Sequence, residues 1–169
     1  TDKARETGEA RFIRITDVDE SGKLKNMEQK FINLTIESKK YLLEKGDVLV
    51  ARTGATYGKT VVFKESYPAV FASYLIKFSF NKEKMLPDFY WLFAQSNEYW
   101  KQAKSLMTGG GQQQFNGGAI KKIKIPLVPL EIQKQMVEEM EKEEEIIASN
   151  YKLIAIMEER IRNLLEEFS

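Results

Sequence analysis

The sequence predicts an α+β body followed by one long helix. Three observations lead there. Short alternating runs rich in β-branched and aromatic residues occur within the first 80 positions, an amphipathic run follows Pro87, and a seven-residue apolar repeat runs from Met136 to Phe168 in a stretch without Gly or Pro. The chain has 169 residues, 43% of them apolar, which is enough for one packed domain with an appendage and argues against disorder.

The elements follow in order. Residues 11–15 (Arg-Phe-Ile-Arg-Ile) alternate in the manner of a half-buried strand. Residues 47–52 and 60–63 read as two further strands separated by the glycine-containing segment 53–59, and 74–80 reads as a fourth. Pro87 suits a first helical turn. Phe89, Leu92, Phe93, Tyr99, Trp100, Ala103, Leu106 and Met107 then recur at spacings of three and four, which predicts one helix over 87–107. A glycine-rich loop covers 108–118, and 119–127 alternates again and reads as a returning strand.

Pro126 and Pro129 bracket the start of the last element, and from 130 to 169 there is neither Gly nor Pro. Met140, Ile147, Ile154, Ile161 and Phe168 stand seven apart. The companion series Met136, Glu143, Asn150, Met157 and Leu164 is apolar at three of its five positions. This is a heptad helix of about 38 residues, about 57 Å long at 1.5 Å per residue. A body of this size cannot cover it, so a second helix must bury the rest of the stripe. Asn150, near the middle, is the residue type that fixes the register of such a pair. The expected organisation is a body over 1–128 and a coiled-coil helix over 129–169.

Charge divides the chain at the same place. Residues 1–130 carry 21 Lys/Arg against 14 Asp/Glu, a net of +7, and residues 131–169 carry 5 against 11, a net of −6. A basic body can meet a polyanion, and an acidic helix repels one. Cysteine and histidine are both absent, which excludes disulfides, thiolate or imidazole metal sites and His-dependent catalysis. No apolar run is long enough to span a membrane and no signal peptide is visible, so a cytoplasmic location without membrane contact is expected. The chain opens on Thr1 in a charged stretch, as an excised or processed piece of something longer would.

Two loops carry the candidate chemistry. The first runs Arg52-Thr53-Gly54-Ala55-Thr56-Tyr57-Gly58-Lys59-Thr60. Only three residues separate its glycines where a phosphate-cradling loop needs four. Val61-Val62-Phe63 then continues as a strand, so no helix N-terminus faces an anion, and nucleotide hydrolysis is rejected. A hairpin tip that presents Arg52, Thr53, Thr56, Tyr57 and Lys59 to DNA fits better, because those side chains contact phosphates and base edges. The second loop, 108–118, holds five of the ten glycines together with Gln112, Gln113, Gln114 and Asn116. Their amides match the donor–acceptor edge of adenine. A metal-dependent nuclease is an alternative reading. In it Asp17 or Asp19, with Glu37, would hold Mg²⁺, and Lys39 would steady the attacking water. A purely structural coiled-coil assembly protein is another. The motif pair of a methyl-donor site is absent, and no cofactor is expected.

Four segments, in this order, resemble one half of the specificity subunit of a Type I restriction–modification system. They are residues 11–18 (Arg-Phe-Ile-Arg-Ile-Thr-Asp-Val), residues 43–52 (Leu-Glu-Lys-Gly-Asp-Val-Leu-Val-Ala-Arg) leading into 53–59, the Gly/Gln/Asn loop at 109–118, and residues 123–135 (Ile-Lys-Ile-Pro-Leu-Val-Pro-Leu-Glu-Ile-Gln-Lys-Gln) entering the helix. The usual subunit has two target-recognition domains and two helices, and this chain has one of each. The resemblance implies a non-catalytic chain without cofactor or metal, whose body reads one half of a bipartite double-stranded DNA site. It also implies that the helix pairs antiparallel with a counterpart, in a second copy or a second half subunit, through Met140, Ile147, Asn150, Ile154, Met157, Ile161, Leu164 and Phe168. Methyltransferase subunits would dock on the pair, and through them the restriction subunit.

Overall fold

A computed structural model describes residues 4–108 and 114–167; Gln112, Gln113 and Phe168 lie outside the described residues. Strand β3 (Val48–Ala51) is buried along its whole length, and its alternation decides how the layers stack. Val48 and Val50 turn to one face, Leu49 and Ala51 to the other. On its two edges β3 pairs antiparallel with β4 (Thr60–Val62) and β6 (Leu75–Phe78), which gives the order β4-β3-β6. In the second sheet, β2-β1-β5, strand β1 (Ala10–Ile13) is antiparallel to β2 (Phe31–Ile32) and parallel to β5 (Ala69–Phe71). Ile13 and Ala69 meet Leu49, Ala51, Val61 and Phe63 in one core. Val48, Val50 and Val62 meet α2 (Pro87–Ala94), α3 (Asn97–Ser105) and α4 (Gly117–Ile120) in another. The body is therefore three layers: sheet, sheet and helices.

The strands expected at 11–15, 47–52, 60–63 and 74–80 are β1, β3, β4 and β6. The strands β2 and β5 and the short helix α1 (Ile36–Lys39) go beyond the sequence reading. The single helix expected over 87–107 is two. Helix α2 closes on Gln95, and Ser96 starts α3 by accepting a hydrogen bond from Tyr99 N at its Oγ, 3.2 Å away.

The strand expected at 119–127 is corrected. Asn116 Oδ1 accepts from Ala119 N at 3.0 Å and caps α4, and the chain then runs without regular structure to Pro129. Ile120, Ile123, Ile125 and Val128 still pack on the helical core, which accounts for the alternation. In place of a neighbouring strand stands one side chain. Gln102 Oε1 accepts from Lys124 N at 2.8 Å, and Gln102 Nε2 donates to Lys124 O at 2.9 Å.

Helix α5 (Leu130–Glu167) has 38 residues, as expected, and begins on the body. Gln133, Val137, Met140 and Glu144 return to the covered side every three or four residues. Gln133 is 0% exposed. Its Oε1 accepts from Leu86 N at 2.9 Å, and its Nε2 donates to Lys84 O and Val128 O, each at 2.8 Å. Lys23 pairs with Glu144 at 2.6 Å, and Lys64 pairs with Asp88 at 2.5 Å and Glu141 at 3.4 Å. From Glu145 to Glu166 every residue is exposed. No described helix is long and apolar enough to cross a membrane.

Candidate nucleic-acid interface

The first loop connects β3 to β4 and is held from below by α3. After Arg52 the chain makes a single 3-10 turn, Gly54–Thr56, with Gly54 at φ 73° and Gly58 at φ 75°. A β-carbon at Gly58 would stand 3.1 Å from the Trp100 ring in a backbone region that favours glycine. Tyr99 OH donates to Gly58 O at 2.7 Å, and Tyr57 meets Trp100 edge-on with ring centroids 6.1 Å apart. Tyr99 is fully buried. Burial, and then the neighbouring Tyr90, push its phenol far above the ordinary value, so it stays a hydrogen-bond donor at any working pH. Burial also pushes Tyr90 up, to about 12.

The second loop joins this surface. Thr53 and Gln114 form an antiparallel bridge, and Phe115 N donates to Arg52 O at 2.7 Å. The Phe115 side chain is fully buried beneath. Thr108 N donates to Gln114 O at 3.2 Å and Gln114 N to Thr108 O at 2.8 Å, which closes the base of the loop. Arg52, Thr53, Thr56, Tyr57 and Lys59 are half-buried, while Gln114 and Asn116 are exposed. Asn116 has its side-chain oxygen engaged in capping α4. The loops named from the sequence thus share one surface that carries a guanidinium, an ammonium, hydroxyls and amides. These are donors suited to phosphate oxygens and base edges.

The residues of the nuclease reading are placed differently. Asp19 accepts from Ser21 Oγ at 2.7 Å and Lys23 N at 2.9 Å. Partial burial opposes its ionisation, but these bonds outweigh it and hold the carboxyl below its ordinary value. Asp17 is buried against Arg14, whose Nη2 lies 2.6 Å from its Oδ1. Glu37 and Lys39 stand exposed on α1. Among the described residues no group of three or more carboxylates gathers that could hold a metal ion. On α5, Met140 is half-buried against the helical core of the body, whereas Ile147, Ile154, Met157, Ile161 and Leu164 are each 51–55% exposed and Asn150 is exposed beside them.

A family profile, the Type I restriction modification DNA specificity domain, matches residues 1–159. The chain belongs to this family. No curated protein matches the sequence. Two solved structures resemble this specificity domain. The crystal structure of the HsdS subunit from Thermoanaerobacter tengcongensis is 17% identical, with a TM-score of 0.61 over 89% of this chain and 41% of that one. A chain from a structure on complex assembly and conformational transition of the type I R-M system is also 17% identical, with a TM-score of 0.67 over 97% of this chain and 38% of that one. At that identity the likeness shows the fold. The specificity domain spans about two fifths of the length of the solved chains it matches. The spacing of Tyr99 and Trp100 places them in a helix core, and they are also the floor of the first loop. Only tertiary pairing links them to Gly58, so no local pattern could have found them.

Proposed function

We propose that this chain is the non-catalytic part of a Type I restriction–modification enzyme that reads one half of a bipartite double-stranded DNA site. In this reading residues 1–128 are the recognition domain and residues 129–169 the pairing helix. Arg52, Thr53, Thr56, Tyr57 and Lys59 meet the duplex together with Gln112, Gln113, Gln114 and Asn116. The observation that carries the reading is the bridge between Thr53 and Gln114, which joins both donor-rich loops in a chain matched by a DNA-specificity family over most of its length. Helix α5 pairs antiparallel with a second copy, or with a second half subunit, through Ile147, Asn150, Ile154, Met157, Ile161, Leu164 and Phe168. Met140 contributes where the helix leaves the body. Methyltransferase subunits dock on this frame and bring the restriction subunit, in the cytoplasm beside the DNA they mark.

The test is methylation-site mapping and DNA binding in a complex reconstituted with methyltransferase subunits. Arg52→Ala and Lys59→Ala are expected to weaken binding, and to make it less dependent on salt wherever the removed side chain paired with a phosphate. Gln114→Ala is expected to change base preference more than affinity. Asn116→Ala is a poorer probe, because it also removes the α4 cap. If none of these substitutions alters binding or the methylated sequence, the loops are not the reading surface.

A further inference from the structure

The segment 97–126 carries Lys101, Lys104, Lys121, Lys122 and Lys124 against a single acid, Glu98. It therefore holds four of the seven net positive charges of the body. All five lysines are exposed, and none forms a salt bridge with a described carboxylate. Other body cations, such as Lys39, Lys40, Lys45, Lys82 and Lys84, also have no salt bridge with a described carboxylate, so the five are set apart by their clustering with a single acid nearby in sequence.

Structure, and not sequence alone, draws the five together. Gln102 stands on α3 between Lys101 and Lys104 and binds both the N–H and the C=O of Lys124. That clamp sets α3 beside the chain that follows α4. The same two stretches frame the second loop, since α3 leads into it and α4 leads out. Helix α3 also holds the first loop through Tyr99 and Trp100. The lysines are not needed for packing: Tyr99 and Ala103 fill the core side of α3, while Lys101 and Lys104 face away. Unneutralised ammonium groups held on a rigid frame repel one another, so the arrangement favours a counter-charge from outside. An acidic protein partner would look for apolar anchors among the charges. Here Leu106, Ile120 and Ile123 are instead packed against the body's own core.

We infer that Lys101, Lys104, Lys121, Lys122 and Lys124 form a shelf for the sugar–phosphate backbone of duplex DNA, flanking the two reading loops. The inference rests on the DNA-reading proposal and adds to it a surface that positions the duplex without reading bases.

The experiment measures binding of the reconstituted complex to a random-sequence duplex as salt is raised. It compares the wild type with Lys101→Gln/Lys104→Gln and with Lys121→Gln/Lys122→Gln/Lys124→Gln. Removing one lysine–phosphate pair lowers the slope of log affinity against log salt by about 0.9, so the two variants are expected to lower it by roughly 2 and roughly 3. The sites methylated stay the same, and the matching Lys→Arg variants restore the slope. Unchanged slopes in both Gln variants, with Arg52→Ala and Lys59→Ala still weakening binding, overturn the shelf and leave the reading loops standing. If neither set affects DNA, the DNA-reading proposal fails along with the shelf. A complex that loses mass in light scattering while its salt slope holds makes the patch a protein-docking surface and also overturns the inference. The exposure of all five side chains keeps the variants folded, which a melting curve checks.

Discussion

The two halves of α5 share one apolar rhythm and use it differently. In residues 130–144 the body covers Gln133, Val137 and Met140 while Met136 stays exposed, and the best-buried side chain there is polar: Gln133, with three hydrogen bonds to backbone groups. In residues 145–166 nothing covers the stripe, and Ile147, Ile154, Met157, Ile161 and Leu164 stand about half exposed along one side. A seven-residue repeat therefore shows that a helix has a face to bury but not what buries it. The near half is fixed by specific polar bonds to one partner, its own body. The far half carries a generic seam, broken at Asn150, that suits another helix.

The largest expected effect lies in the far half. Wild-type chain at tens of micromolar is expected to be a dimer by light scattering. Ile154→Asp puts a charge into the seam, where leaving it unpaired costs about 3 kcal/mol or more, so pairing is expected to weaken by roughly 100-fold. The melting temperature of the body is expected to hold, because Ile154 lies on the uncovered half. A wild-type monomer would break the comparison at this point and assign the far half to a different kind of partner.

In the near half the sensitive residue is Gln133. Gln133→Ala leaves the Leu86 N–H and the Lys84 and Val128 carbonyls without their partner. Buried groups left unpaired cost about 1–3 kcal/mol each, and water entering the gap recovers part of this, so a net loss of about 2 kcal/mol is expected. In a chain of this size that lowers the melting temperature by roughly 4–8 °C. Thermal unfolding followed by circular dichroism checks it. A loss no larger than that from an exposed substitution would mean that Val137 and Met140, and not the glutamine, seat the helix.

Much of the fold was legible because its cause was local. Helix α5 was placed nearly residue for residue, since Pro129 opens it and no glycine or proline interrupts it. Strands β1, β3, β4 and β6 overlap apolar or β-branched runs of four to seven residues, at 11–15, 47–52, 60–63 and 74–80. Strand β2, with two residues, is too short to show a pattern. The run at 119–127 misled because alternation reports one-sided burial, and a strand also needs a neighbour. Here Gln102 supplies the neighbour's two hydrogen bonds from a helix. Gln133 was invisible for the opposite reason, as a polar residue inside an apolar repeat. The two loops were legible from glycine, charge and amide content. Their meeting at Thr53 and Gln114 was not, because pairing across such a separation leaves no local pattern.

The smallest expected effect tests whether the rim of the near half matters. Lys64 lies between Asp88 and Glu141, and Lys23 reaches Glu144. Burial alone would lower the Lys64 pKa, but Asp88 first and Glu141 second outweigh it, and the pKa is raised. A raised folded-state value means that the contribution is fully present below the unfolded value near 10.5 and is lost as pH rises through the folded one. Lys64 is about half exposed, so the pair is discounted to less than about 1 kcal/mol and weakens further with salt. Lys64→Met is therefore expected to shift the denaturant midpoint slightly at neutral pH and low salt. The difference from wild type should vanish at high salt and in strong alkali. Comparing variant with wild type cancels the titration of the tyrosines. If Lys64→Met destabilises as much as Gln133→Ala, the ranking reverses: the acidic near half of α5 is then held by the charge of the body, and the buried glutamine sets only its register.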